Sequence, residues 1–172
     1  MEERKVQAAG TLREMRDTDT EAVLRILNES ILTGQSTART VCPTKEEWED
    51  SLLPTGRYVC EENGELLGFV VLHPYSGRSC YSGVAEISVY VAARAQRRGI
   101  GGLLLQTLLE DAPKHGFWSL TSNIFATNSA SCQLHEALGF RRVGYRERVV
   151  KTKSGEWMSI VIYELRLPDA DE

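Results

Sequence analysis

The chain holds no stretch near the ~20 consecutive apolar residues that a helix needs to cross a bilayer. Its first ten residues, MEERKVQAAG, contain no signal-peptide core. Cysteine is sparse: Cys42, Cys60, Cys80 and Cys132 stand apart, with no CxxC pair and no Cys/His spacing of a metal site. These absences argue against a membrane span, a disulfide scaffold and structural zinc, and for a cytoplasmic chain with reduced thiols and no metal. Cys60, inside an apolar run, reads as a small buried hydrophobe. A strong charge bias is missing too. The net charge of −4 argues against a surface that coats nucleic acid, with RAQRR at 94–98 as a local basic patch. There are no repeats, linkers or low-complexity tracts.

What remains is ordinary globular material. The 172 residues are 42% hydrophobic and 26% charged, enough apolar surface for one core and one domain. We expect a loose tail at 1–10, a single domain at 11–167 and an acidic tail at 168–172. TLREM (11–15) alternates like a strand. Thr18 with Glu21 has the spacing of a capping box ahead of a helix, and Thr44 with Glu47 repeats it before EEWEDSLL. Asn63-Gly64 between two apolar runs is a strong hairpin signal. VAEISVYVA (84–92) reads as a buried strand, the fourth, and FWSLTSNIFA (117–126) as the fifth. A helix between them makes a βαβ unit, which crosses over right-handed. A further helix begins at Asn128 and ends at Gly139, and two strands close the chain. The order β-α-α-β-β-β-α-β-α-β-β gives an α/β (α+β) domain on a mixed, mostly antiparallel sheet.

QRRGIGG (96–102) places three glycines where a leucine-rich helix begins. Each glycine inside a helix costs roughly 0.5–1 kcal/mol against alanine. A helix N-terminus offers unpaired N–H groups and partial positive charge, so it attracts phosphate. Glycines let that backbone approach an anion closely, and Arg97 and Arg98 add charge. The alternative is a tight strand-to-helix turn with surface arginines. A P-loop does not fit, because no Lys-Ser/Thr follows the glycines. A dinucleotide fingerprint fails as well: Leu104 stands where its third glycine belongs.

QRRGIG, together with NSASCQLHEALGF (128–140), resembles the two landmark segments of the GNAT family of N-acetyltransferases. The resemblance covers roughly 11–167. VAEISVYVAARAQRRGIG, LHEALGF, GEWMSIVIYEL and the early RTVCPTKEEW are similar to the family's phosphinothricin acetyltransferase, or L-amino-acid N-acyltransferase, branch. It implies a GNAT-like fold, with helices on both faces of the sheet and a splay between the fourth and fifth strands. It implies acetyl-CoA as acetyl donor, a small amine acceptor of amino-acid type, and a homodimer.

The resemblance also implies roles. Val89 and Val91 would bond the donor's arm through their backbones. Arg97, Arg98, Gly99, Ile100, Gly101 and Gly102 would cradle its pyrophosphate, and Asn128 would hold the arm. Arg39, Arg78 and Tyr81 match positions that face the amino acid, and an arginine fork suits a carboxylate. The herbicide-detoxifying members carry a lysine where Ser76 stands and an aromatic where Ala38 stands. Phosphinothricin is therefore one of several candidate acceptors, beside methionine sulfone and sulfoximine.

The chemistry needs a base, since an amino acid's ammonium is protonated at neutral pH. Glu86, the acid in an otherwise apolar strand, reads as that base, since the branch also has glutamate there, or as a carboxylate at a strand's exposed edge. Burial would raise its proton affinity. His135 stands where many members carry a tyrosine that protonates the leaving thiolate; it reads either as structural, like most lone helical histidines, or as that acid or a substrate-ordering group. His73 and His115 read as structural. Two other functions stay open: acetylation of a protein N-terminus or lysine, and a non-catalytic acyl-CoA sensor, which intact Glu86 and His135 disfavour.

Overall fold

The computed structural model describes residues 4–6 and 10–168. The expected sequence of elements is present, with one strand added in front. β1 (Arg4–Val6) pairs with β2 (Gly10–Glu14), so a strand forms within the segment expected to be a tail. The rest of 1–9 and the acidic tail beyond Pro168 lie outside the described residues. Then come α1 (Thr20–Thr33), α2 (Lys45–Asp50), β3 (Tyr58–Glu62), β4 (Glu65–Pro74) and β5 (Val84–Val91). α3 (Ile100–Asp111), β6 (Ser119–Phe125), α4 (Ser129–Ala137), β7 (Arg141–Lys151) and β8 (Trp157–Arg166) complete the chain.

The eight strands form one sheet in the order β1-β2-β3-β4-β5-β6-β8-β7. Every pairing is antiparallel except β5 with β6. That parallel pair is registered only over Val84↔Ser119, Ala85↔Leu120 and Glu86↔Thr121. Beyond Glu86 the two strands part, which is the expected splay; the extra strand at the front makes it fall between the fifth and sixth. Successive strand residues face opposite sides, and β4 shows what covers each side. A Cβ on Gly68 would meet Leu104 of α3 at 3.2 Å, whereas the Phe69 ring packs edge-on against Trp48 of α2. Helices thus cover both faces.

Leu104, Leu105, Leu108, Leu120 and Phe69 are completely buried in the core. Such side chains contribute about 1.5–3 kcal/mol each. Local signals formed where their side chains had no stronger partner. Thr44 and Glu47 make the reciprocal cap of α2, with bonds of 3.2 and 2.8 Å. Asn63 and Gly64 both take positive φ, 52° and 82°, in the β3–β4 turn. The box expected at Thr18–Glu21 does not form. α1 begins at Thr20, after a 3-10 turn over Asp17–Asp19. The cause is Arg13, a buried guanidinium that bonds both oxygens of Asp19 (2.7 and 3.0 Å) as well as Glu61. Asp19 is held there and also accepts the Arg16 N–H at 2.7 Å. A buried charge left unpaired costs far more than an unused cap.

Candidate active site

The splay opens a cavity of about 450 Å³, within the usual range for small-molecule sites. Its wall includes Glu86, Ser88 and Tyr90 from one face of β5 and Ile87 and Val89 from the other. From β6 it includes Asn123 and Phe125 on one face and Ser122 and Ile124 on the other. Alternate residues of both strands can line one space only if it lies in the gap between them. The cavity therefore runs through the sheet and has two sides.

On one side stand Glu86 and His73, direct partners in the β4–β5 ladder. Glu86 is half-buried rather than sealed, and its Oε1 accepts the Asn123 amide at 3.1 Å. Arg39 lines this side with its guanidinium 5.7 Å from the centre of the Trp48 ring. Arg146 arrives from the sheet's edge, where it is in register with Ile160 and, through it, with Phe125. Its place depends on an irregularity in β7 between Arg146 and Val150, where Arg148 takes a φ of +49°. Two guanidiniums and one carboxylate thus line this side.

On the other side stands His135 of α4, completely buried. Its Nδ1 lies 2.8 Å from the Ser131 carbonyl, which only accepts, so Nδ1 carries the proton and Nε2 a lone pair. Nε2 is buried without a hydrogen-bond partner among the described residues. Burial pushes the His135 pKa below the ordinary histidine value, against the opposing pull of the Ser131 carbonyl. Asn128 caps α4 by accepting the Ser131 N–H at 3.1 Å, which leaves its amide NH₂ as a donor.

The glycine segment begins after the end of β5. Gly99 adopts φ +79°, with nothing within 4 Å of where a Cβ would stand. The first turn of α3 follows, and such a turn leaves its leading N–H groups unpaired. A Cβ on Gly101 would meet Leu134 of α4 at 3.3 Å, so this glycine also lets the two helices approach. Arg98 is drawn aside into an ion pair with Glu62, 2.7 Å away. Arg97, exposed and with φ +60°, has no ion pair among the described residues.

The cavity wall thus brings together Glu86, His135, Val89, Asn128 and Arg39. Val91 and 97–102 stand outside the wall. Arg78 and Tyr81 are not on the wall. They lie exposed in the loop after β4, where the Tyr81 ring packs against Tyr75 at 5.4 Å. Sequence reasoning missed Ser88, Asn123 and Arg146, and read His73 as structural only. A polar residue in an apolar strand was the one signal for Ser88 and Asn123. Nothing local marks Arg146.

A family model described as the acetyltransferase (GNAT) family matches residues 21–140. The chain belongs to this family. Among similar proteins, a phosphinothricin N-acetyltransferase of Streptomyces viridochromogenes is 35% identical over 150 residues, 85% of this chain and 81% of that one. An L-methionine sulfoximine/L-methionine sulfone acetyltransferase of Salmonella typhimurium is 29% identical over 164 residues, 92% of this chain and 95% of that one. A crystal structure of a GNAT superfamily phosphinothricin acetyltransferase from Sinorhizobium meliloti, in complex with AcCoA, superposes with a TM-score of 0.86. It is 26% identical, with 96% of this chain and 92% of that chain covered.

Proposed function

We propose that this enzyme moves an acetyl group from acetyl-CoA to the amine of a small amino-acid-like acceptor. The observation that carries this reading is the cavity through the splay, with Glu86 on one side and His135 on the other. Acetyl-CoA supplies an acetyl thioester, whose C–S bond breaks as the new N–C bond forms. The chain's own groups fit it. Beyond Glu86, the edge of β5 facing the gap has no strand partner among the described residues, so Val89 and Val91 are placed to bond an extended arm. Gly99 to Gly102 and Arg97 suit a pyrophosphate, and the buried lone pair of His135 suits an N–H or O–H of the ligand.

On the acceptor side, Glu86 takes the ammonium's proton and Asn123 orients its carboxylate. Arg39 is placed to hold a carboxylate, with Arg146 as a second cation. His135, neutral and with Nε2 as acceptor, is suited to ordering ligands rather than to giving up a proton. Relatives named for phosphinothricin and for methionine sulfoximine or sulfone support an amino-acid-like acceptor.

Four unbridged cysteines suit a reducing compartment such as the cytoplasm. A homodimer through the last hairpin is supported by the edge strand β7. Val143, Tyr145, Val149 and Trp157, four of the eight large exposed hydrophobics among the described residues, lie there. Sedimentation velocity checks it.

The test of the activity is release of CoA thiol from acetyl-CoA with a panel of acceptors. Methionine sulfone, methionine sulfoximine and phosphinothricin are compared with their amides and with an alanine-initiated peptide. Turnover is expected on the free amino acids. Turnover on the peptide alone would move the acceptor to a protein N-terminus, and none on any amine would overturn the reading.

A further inference from the structure

His73 and Ser88 lie on the Glu86 side and have no part in the reaction as described so far. His73 is half-buried, and its ring meets Trp48 edge-on at 5.9 Å. Its Nδ1 is 2.9 Å from the Ser51 carbonyl and its Nε2 is 3.1 Å from Ser88 Oγ. A carbonyl only accepts, so Nδ1 must carry the proton. Burial pushes the His73 pKa below the ordinary histidine value, outweighing the opposing effects of the Ser51 carbonyl and the Glu86 charge. The ring is therefore neutral, and Nε2 is a lone pair. The Ser88 hydroxyl then has to donate its proton to His73.

A serine hydroxyl has one proton and two lone pairs. With the proton committed to His73, Ser88 Oγ can only accept from anything else. The Tyr90 hydroxyl, close to Ser88 on the same face of β5, can fill one lone pair. The other is left for a donor in the cavity, whose wall Ser88 lines. Ser88 stands two residues after Glu86 on the same face of β5, a Cα spacing of roughly 7 Å. One nitrogen bonded to both the carboxylate and the hydroxyl spans such a gap.

We infer that Ser88 is a second acceptor for the substrate's amine, beside Glu86, and that His73 is the positioning residue that makes it one. The inference rests on the acetyltransferase reading above and deepens it. When Glu86 takes one proton, the amine stays tethered to Ser88 through another N–H. Its new lone pair forms where that proton left, toward Glu86, and turning about the C–N bond with Ser88 as the tether brings it to the splay. An alcohol offers a single O–H and cannot satisfy both acceptors, so the arrangement selects amines.

The test compares Ser88→Ala, His73→Phe, the double variant, Ser88→Thr and His73→Gln, with kcat and acceptor KM at saturating acetyl-CoA. Phenylalanine keeps a ring against Trp48. Ser88→Ala and His73→Phe are each expected to raise acceptor KM roughly 10–100-fold, the range for a hydrogen bond to a charged group. The double variant should be no worse than the more affected single, because both remove one interaction. Threonine and glutamine should restore most of it, and acetyl-CoA affinity should not change. Losses that add, or a Ser88→Ala enzyme with the parent's KM, would overturn the inference while the acetyltransferase reading stands. So would nitrogen NMR showing His73 Nε2 protonated in the resting enzyme. A parent that turns over no amine overturns both readings together.

Discussion

The His135 side of the cavity offers main chain, the parted edge of β5 and the capped start of α4, with the glycine turn before α3 outside the wall. On the Glu86 side the groups that matter are side chains, from residue 39 in a loop to residue 146 on the sheet's far edge. Main chain suits a ligand that never varies. Side chains can be exchanged one at a time without rebuilding the turn, so they suit an acceptor that differs between relatives. The comparison implies that substitutions on the two sides should separate cleanly, donor binding on one and acceptor turnover on the other.

The largest effect should come from Glu86. Glu86→Gln removes the base but keeps the Asn123 contact possible, and kcat should fall about 100–10,000-fold at neutral pH. Activity should recover in part at high pH, where free amine is abundant, and acetyl-CoA affinity by calorimetry should hold. A variant with the parent's pH–rate profile would take Glu86 out of the chemistry. Gly101→Glu should do the reverse. It sets a negative charge where the pyrophosphate is expected and crowds Leu134, already 3.3 Å from where a Cβ would stand. Acetyl-CoA affinity should weaken on the order of 100-fold, given several kcal/mol for like charges brought together. Unchanged affinity in a folded variant would detach the glycine turn from the donor.

A smaller effect should distinguish two arginines. Arg39→Met should raise KM roughly 10–100-fold for acceptors with a free carboxylate and leave their amides alone. Arg78→Met should change either by no more than about 2-fold, as exposed substitutions away from a site usually do. Should Arg78 prove the heavier, the carboxylate goes back to the residue that family resemblance assigns.

The same contrast explains what could be read in advance. The glycine turn and the Asn128 cap were legible because their signals are contiguous, each within a few residues. So were the strand order and the splay, which follow from hydrophobic pattern and family likeness. The acceptor side was not. His73 faces Glu86 only because of the β4–β5 register, and the loop over 75–83 between those strands is no standard hairpin turn that would fix it. Arg146 depends on an irregularity in β7 that no local residue pattern announces. Arg78 and Tyr81 stand off the cavity wall. Their place in a motif said nothing of where the loop would hold them in one chain. The missing cap at Thr18 has the same root, since Arg13's demand for Asp19 is a contact across the fold.

The smallest effect concerns acid stability, where each side contributes one histidine. In the folded protein burial holds the pKa of both His135 and His73 below the ordinary value of 6.5. The unfolded chain therefore binds more protons than the folded one as the medium is acidified. Stability from neutral histidine is fully present above 6.5 and is lost as pH falls from there through the lower folded values. Asp19 and Asp111, whose carboxyls are held below 3.8, lose their contribution only at lower pH. The interval between pH 7.5 and 5 thus belongs to the histidines. The urea midpoint should fall across it without a change in slope. His135→Phe should flatten the fall more than His73→Phe, because His135 is completely buried while His73 is partly exposed. A midpoint that stays level to pH 5 in the parent would mean that neither imidazole is held neutral. His135 would then regain the acid role that its buried, unprotonated Nε2 argues against, and the hydroxyl of Ser88 would no longer be bound to point at His73.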